Sequence, residues 1–177
     1  MDVDRNGFNG LNGFIGVSDD WKADFLVGIG ISIFYVLLGK YNSLFLIGTP
    51  SSGLFQFIQD WILRDQFFIV VLIAPIVEGI FFFCFLLTMV YYFLRGVIRT
   101  PATNILASSL IVAALFAVFH YAAYGLNLQS AYIGAFIFAL LSCIVTVWRD
   151  SQLPNIILHM AINGSIFFGL FVIVGSV

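Results

Sequence analysis

The amino-acid sequence predicts an all-α fold: a polytopic membrane helical bundle of about five transmembrane helices plus one interfacial helix. Of the 177 residues, 62% are hydrophobic and only 9% are charged, whereas an ordinary soluble domain carries about 25% charged residues. Several apolar stretches reach the roughly 20 residues that a helix needs to cross a bilayer. No period-two pattern runs through the chain, and open sheet edges cannot be satisfied in lipid.

The chain begins with a polar tail, predicted over 1–22, and continues as a single transmembrane domain over 23–177. The tail is rich in Gly, Asn and Asp, and no basic segment precedes an early apolar run, so no cleavable signal peptide is expected. The first span should begin at Asp24 and end near Gly39. After a breaker at 49–53, residues 54–65 carry both apolar and polar side chains and predict the interfacial helix.

The longest apolar run covers 66–94 and contains Pro75, which predicts a kink or a fresh helix start. Pro154 suits the first turn of the last helix. The three later spans are expected at about 103–124, 130–147 and 154–176. The three tryptophans fall at the ends of predicted segments, where indoles settle at the bilayer surface: Trp21, Trp61 and Trp148.

The distribution of Lys and Arg predicts a cytosolic N-terminus. With five spans, one side of the membrane carries Arg5, Lys22, Arg95, Arg99 and Arg149, and the other carries Lys40 and Arg64. The net charge is −2 and no basic block occurs, so a nucleic-acid partner is not expected. Cys84 and Cys143 lie in apolar segments without CxxC spacing and are interpreted as small buried hydrophobes.

The glutamate and the two histidines of the chain all lie inside predicted spans. A charged residue in the middle of a membrane helix costs about 2.5–3.5 kcal/mol, so Glu78 must be protonated, paired or facing a wet cavity. If the helix restarts at Pro75, Glu78 lies in its first turn, where free N–H groups favour a carboxylate. A neutral side chain bonded to neighbouring backbone is the structural alternative for Glu78.

His120 and His159 each have a polar or aromatic neighbour one helical turn away. Phe116 shares a helix face with His120, and Asn163 shares one with His159. Each histidine by itself is also explained as a hydrogen-bonding contact between helices. A converging carboxylate and imidazole can activate a water as general base, and a second imidazole with an amide can donate to an oxyanion. No cofactor is predicted, although Glu78, His120 and His159 are also a three-ligand set for zinc, without any HExxH spacing.

Three sequence segments in order, APIVEGIFFFCFL, FAVFH and LPNIILHMAIN, resemble the CAAX-protease and bacteriocin-processing (CPBP, or ABI) family of intramembrane proteases. That family carries EExxxR, FxxxH and HxxxN/D on successive helices. The resemblance implies a CPBP-like core over about 66–176. It also implies that Glu78 and His120 activate water, with Phe116 as motif partner of His120, while His159 and Asn163 stabilise the oxyanion.

The first motif departs from the family pattern. Gly79 stands where the family has its second glutamate, and Phe83 stands where it has arginine. These two family positions could form a supporting charge pair, and losing both together leaves no unpaired buried charge. The loss also removes groups that would hold the catalytic residues in place.

The resemblance leads to two hypotheses on function. The first is an intramembrane protease that acts on a membrane-associated peptide substrate. The second is a catalytically inactive CPBP-like scaffold, an accessory subunit of a larger integral membrane complex. A small transporter is a third class, but the chain lacks a series of several ionisable residues within its spans.

The span boundaries raise a geometric difficulty for the proposed site. His120 lies about 7 Å from the outer end of its predicted helix, and His159 lies about as far from the inner end of its own. Across a hydrocarbon core of about 30 Å, the two would differ by about 15 Å in depth. Their convergence requires a tilted helix, a short fourth span or a last helix that starts deep in the bundle.

Overall fold

A computed structural model describes residues 18–41, 68–124 and 128–167. Within these ranges the chain is almost entirely helical and contains no strand, which confirms the predicted all-α bundle. The predicted interfacial helix at 54–65, Trp61 and most of the polar tail lie outside the described residues. The domain boundaries therefore remain predictions.

Five helices make up the described part of the chain. The first, α1, covers Trp21–Tyr41, so it begins three residues before the predicted Asp24 and ends two residues after the predicted Gly39. The second, α2, covers Phe68–Arg95 without interruption. They are followed by α3 (Pro101–Tyr124), α4 (Leu128–Arg149) and α5 (Leu153–Phe167).

Four segments of the described chain are long and apolar enough to cross a bilayer: Trp21–Leu38, Phe68–Arg95, Pro101–His120 and Tyr132–Arg149. The fifth predicted span, 154–176, is described only as far as Phe167, so its crossing remains a prediction. Trp21 begins α1 and Trp148 lies next to the end of α4, and both are about half exposed, as expected for indoles at a bilayer surface.

The sequence predicted a kink or a fresh helix start at Pro75, but the chain does not end one helix and begin a separate one there. Instead, α2 changes its hydrogen-bonding pattern along a continuous helix. It is π-helical over Phe68–Ile73, α-helical over Ala74–Glu78, π-helical again over Gly79–Leu86, and α-helical over Leu87–Arg95. Pro75 is accommodated where the first π-helical segment gives way to the α-helix, and Glu78 ends that short α-helical stretch rather than lying in a first turn. Such π-helical turns are rare and occur frequently at functional sites.

The bundle is held by two helix pairs that meet through an aromatic core. Helix α3 packs along α4, and α1 packs along α5. Between them lie the buried rings of Phe83, Phe116 and Phe138, whose centroids are 5.3–6.0 Å apart. Offset and edge-on ring pairs at such distances add to the stabilisation from apolar burial. The core thus joins α2, α3 and α4, and it lies beside the polar residues described below.

Candidate active site

Glu78 lies between the two histidines of the chain. Its Oε2 atom is 3.6 Å from Nε2 of His120 and 3.7 Å from Nε2 of His159. The three side chains are 19%, 11% and 4% exposed, respectively, so they are largely withdrawn from solvent. Three of the four predicted catalytic residues therefore meet at one point, each contributed by a different helix: α2, α3 and α5.

The two histidines converge because the last helix starts deep in the bundle. The side-chain amide of Gln152, immediately before α5, donates a 3.0 Å hydrogen bond to the backbone carbonyl of Phe83. Phe83 precedes the end of α2 at Arg95 by about 18 Å of helix. Because α5 runs antiparallel to α2 from there, His159 reaches the level of Glu78. The histidines therefore converge through a last helix that starts deep in the bundle, rather than through a tilted helix or a short fourth span.

An ion pair holds the chain at the turn between α4 and α5. Asp150 has a φ of 49°, in the left-handed region, and turns the chain sharply after α4. Next to it, Arg149 donates from Nε to Oδ1 of Asp24 in the first turn of α1, at 2.7 Å. The Asp24 carboxylate is fully buried, and its Oδ2 accepts a 2.6 Å hydrogen bond from the Ser18 hydroxyl. The charge at the end of α4 is thus neutralised by α1.

His120 is held by Phe116 in two ways. Its Nδ1 forms a 3.0 Å hydrogen bond with the Phe116 carbonyl, and its ring stacks on the Phe116 ring with centroids 4.0 Å apart. Because a carbonyl only accepts, Nδ1 must carry the proton in this contact. In the neutral imidazole, Nε2 then presents a lone pair toward Glu78.

His159 is almost completely buried and packs against Phe138, with ring centroids 4.7 Å apart. Its Nδ1 has no hydrogen-bond partner among the described residues, whereas its Nε2 faces the Glu78 carboxylate. A proton on Nε2 therefore makes His159 a donor that points to Glu78. With His159 in that tautomer, the two imidazoles present different chemistry to one carboxylate oxygen: a lone pair from His120 and an N–H from His159.

Asn163, the fourth predicted residue, contacts the backbone of α2. Its Nδ2 donates a 2.8 Å hydrogen bond to the carbonyl of Val70, which precedes Glu78 in α2 by about two helical turns. This contact uses one of the two hydrogens that a side-chain amide nitrogen carries. The contact connects α5 to the first π-helical segment of α2.

Two residues beside the site, Gln152 and Asn155, were not predicted from the sequence. Both are buried, and Asn155 donates from Nδ2 to the Gln152 side-chain oxygen at 3.2 Å. Their spacing could have indicated them, since they precede His159 by seven and four residues and share its helix face.

As for metal ligation, no group of three His, Cys, Asp or Glu side chains in the described part of the chain is arranged to hold an ion. The buried thiols of Cys84 and Cys143 lie in the core as free cysteines, as predicted from their apolar segments.

Comparison with models of known families matches residues 60–165 to the family described as type II CAAX prenyl endopeptidase, Rce1-like. The match covers more than half of the chain and includes all four predicted catalytic residues. It confirms the resemblance inferred from the three motifs. No curated protein and no solved structure gives a significant match.

Proposed function

The chain belongs to the family of Rce1-like type II CAAX prenyl endopeptidases, and from that premise we propose that it is an intramembrane protease that hydrolyses a peptide bond of a membrane-associated substrate. The observation that carries the proposal is the position of the Glu78 carboxylate, within 3.7 Å of both imidazoles. These separations exceed a direct hydrogen bond and suit groups that act on one shared water molecule.

Glu78 and His120 are the proposed activators of water. The His120 lone pair and the carboxylate both accept, so a water placed between them donates one hydrogen to each. Transfer of a proton from this water to Glu78 leaves a hydroxide equivalent, which attacks the carbonyl carbon of the substrate. The proton then passes to the leaving amine as the C–N bond breaks, and the products are a carboxylate and an amine.

His159 and Asn163 are the proposed donors to the oxyanion. An Nε2–H on His159 and the second amide hydrogen of Asn163 can each stabilise the negative charge that develops on the carbonyl oxygen. The burial of His159 strengthens such an interaction, because little water is present to screen it. No covalent enzyme intermediate is needed in this mechanism.

The substitution Glu78→Gln tests the proposal. Glutamine keeps the shape of the side chain but cannot take up a proton, so cleavage of a prenylated or otherwise membrane-anchored peptide should fall by at least about 100-fold. Purified full-length chain in lipid vesicles should be compared with the variant, with thermal unfolding as control. Undiminished cleavage by a folded Glu78→Gln protein would refute the mechanism.

Zinc held by Glu78, His120 and His159 is the alternative that the sequence left open, although these side chains are not arranged to hold an ion in the described part of the chain. The neutral-amide substitution at Glu78 does not distinguish the two, but treatment with a chelator does. We expect cleavage to survive exhaustive chelation, because the proposed mechanism requires only water and the four side chains. Loss of cleavage that is restored by added zinc would favour the metal mechanism.

A second candidate function is an inactive scaffold within a membrane complex. The observation that favours it is the absence of the supporting charge pair, with Gly79 and Phe83 in the motif positions. If the chain is such a scaffold, Glu78→Gln would leave the assembly and activity of the complex unchanged, and the chain would co-purify with stoichiometric membrane subunits.

We further propose, from the distribution of Lys and Arg, that the N-terminus is cytosolic. A cysteine introduced into the tail and labelled from either side of the membrane tests this orientation.

A further inference from the structure

The volume beside Gly79 is occupied by side chains at the start of the last helix and just before it: those of Gln152, Asn155 and Ile156. A Cβ at Gly79 would lie 3.4 Å from Nδ2 of Asn155 and 3.9 Å from Oε1 of Gln152. A Cβ would fit in ordinary contact, but the atoms of a longer side chain such as glutamate would extend toward space that these side chains already fill. The loss of the family's second glutamate and the close approach of α5 to α2 are thus parts of one arrangement.

Gln152 attaches the Gln152–Asn155 amide pair to the backbone of α2 at Phe83, the second position at which the sequence departs from the family motif. Its Nε2 donates to the carbonyl of Phe83, while its Oε1 accepts from Asn155. Gln152 is 4% exposed, and Asn155 is fully buried. The hydrogen bonds therefore form in a low-dielectric interior, where they are directional and costly to break.

This attachment determines the register of α5 against α2. Gln152, Asn155 and His159 follow one another at three and four residues, so they lie on one face of the helix. Fixing Gln152 to the Phe83 carbonyl sets both the depth and the rotation of α5. The position of the His159 imidazole relative to Glu78 follows from those two quantities.

We infer that Gln152 and Asn155 are positioning residues, and that their neutral amide pair replaces the missing Glu–Arg pair by holding His159 against Glu78. The inference rests on the proposed function insofar as it concerns catalysis. The positioning itself is independent of catalysis and can be measured separately.

Histidine-specific labelling provides that separate measurement. The chain contains two histidines, so the 15N spectrum of [15N]histidine-labelled full-length protein in lipid reports on His120 and His159 alone. Glu78→Gln should shift the imidazole signals of both, because it removes the negative charge that each Nε2 faces. His120→Asn identifies which signals belong to His159.

The test variant is Gln152→Met, which keeps the length of the side chain and loses its hydrogen bonds. Its matched control is Asn104→Leu, because Asn104 is a buried amide that also donates to a carbonyl of α2, that of Tyr91, at 3.0 Å. We expect Gln152→Met to shift the His159 signals toward those of the Glu78→Gln protein. Asn104→Leu should lose comparable thermal stability without this shift.

In cleavage assays, Gln152→Met should lower kcat by roughly 10- to 100-fold with KM changed less than about threefold, as expected for misplacement of a catalytic group. Asn155→Leu provides a second variant, which removes the donor to the Gln152 side-chain oxygen but keeps Gln152 itself, and it should shift the His159 signals in the same direction. If Gln152→Met does not fold, this second variant tests by itself whether the amide pair positions His159.

Unchanged His159 signals in both Gln152→Met and Asn155→Leu would overturn the inference and leave the amide pair a purely structural contact. Equal shifts in Asn104→Leu would overturn it as well. If the wild-type chain cleaves no substrate, the proposed protease function fails, whereas the His159 signals still report on positioning.

Discussion

Asn163 donates its side-chain amide to the backbone carbonyl of Val70 across 93 positions of sequence, at a distance of 2.8 Å. Val70 lies in a π-helical segment, where a carbonyl accepts from the N–H five residues later. That residue is Pro75, which has no N–H. Asn163 thus supplies a donor at the position where proline has no N–H, and this contact couples α5 to α2, the helix that carries Glu78.

This relationship predicts coupling between Asn163 and Pro75. Asn163→Leu should lower the free energy of unfolding in detergent by about 0.5–1.5 kcal/mol, the usual contribution of one such hydrogen bond. In a Pro75→Ala background, an N–H becomes available at residue 75, so the same substitution should cost less. A double-mutant cycle measures the difference. Strict additivity of the two substitutions would contradict the explanation.

Two glycines of α1 should respond in opposite ways to substitution by alanine. A Cβ at Gly28 would lie 2.9 Å from Ile157 Cβ and 3.0 Å from the Pro154 backbone, whereas one at Gly30 would meet nothing within 4 Å. Gly28→Ala should force α1 away from α5 and cost about 1–3 kcal/mol. Gly30→Ala should be neutral or stabilise the helix by up to about 1 kcal/mol. Thermal unfolding of the two variants tests this, and equal effects would show that α1 does not pack closely on α5.

Removing one partner of the Asp24–Arg149 ion pair should destabilise the protein more than removing both partners. Arg149→Met leaves the buried Asp24 carboxylate without its cation and should destabilise the protein by about 3 kcal/mol. The double substitution Asp24→Leu with Arg149→Met removes both charges and should recover part of that loss. Unfolding in detergent at constant lipid content measures both variants. A double variant less stable than Arg149→Met would contradict this reasoning.

The ring of Phe116 should contribute to catalysis through the orientation of His120. Phe116→Leu removes the stacked ring but leaves the carbonyl that holds Nδ1, so we expect kcat to fall about tenfold as the imidazole gains freedom. Phe119→Leu is the control, because that ring is half exposed and meets His120 only edge-on, at 5.7 Å. Similar losses in the two variants would indicate a general packing effect rather than orientation of His120.

The sequence by itself determined the class of the protein and the residues around which a site could form. A chain with 9% charged residues cannot cover itself with polar surface, so its membrane-helical fold follows from composition. Glu78, His120 and His159 were evident for the same reason, since ionisable groups are costly within spans and need an explanation there. Their motif spacing also indicated the family, which the comparison over 60–165 confirmed.

Only the tertiary structure decided how these residues meet. Depth and register depend on contacts between positions far apart in sequence, such as the 69 residues that separate Gln152 from Phe83. Hydrophobic length gives the extent of a helix but not the level at which it begins, which is why span boundaries alone placed His120 and His159 about 15 Å apart in depth. The deep start of α5, held by Gln152 and by the Arg149–Asp24 pair, brings both imidazoles within 3.7 Å of one Glu78 oxygen.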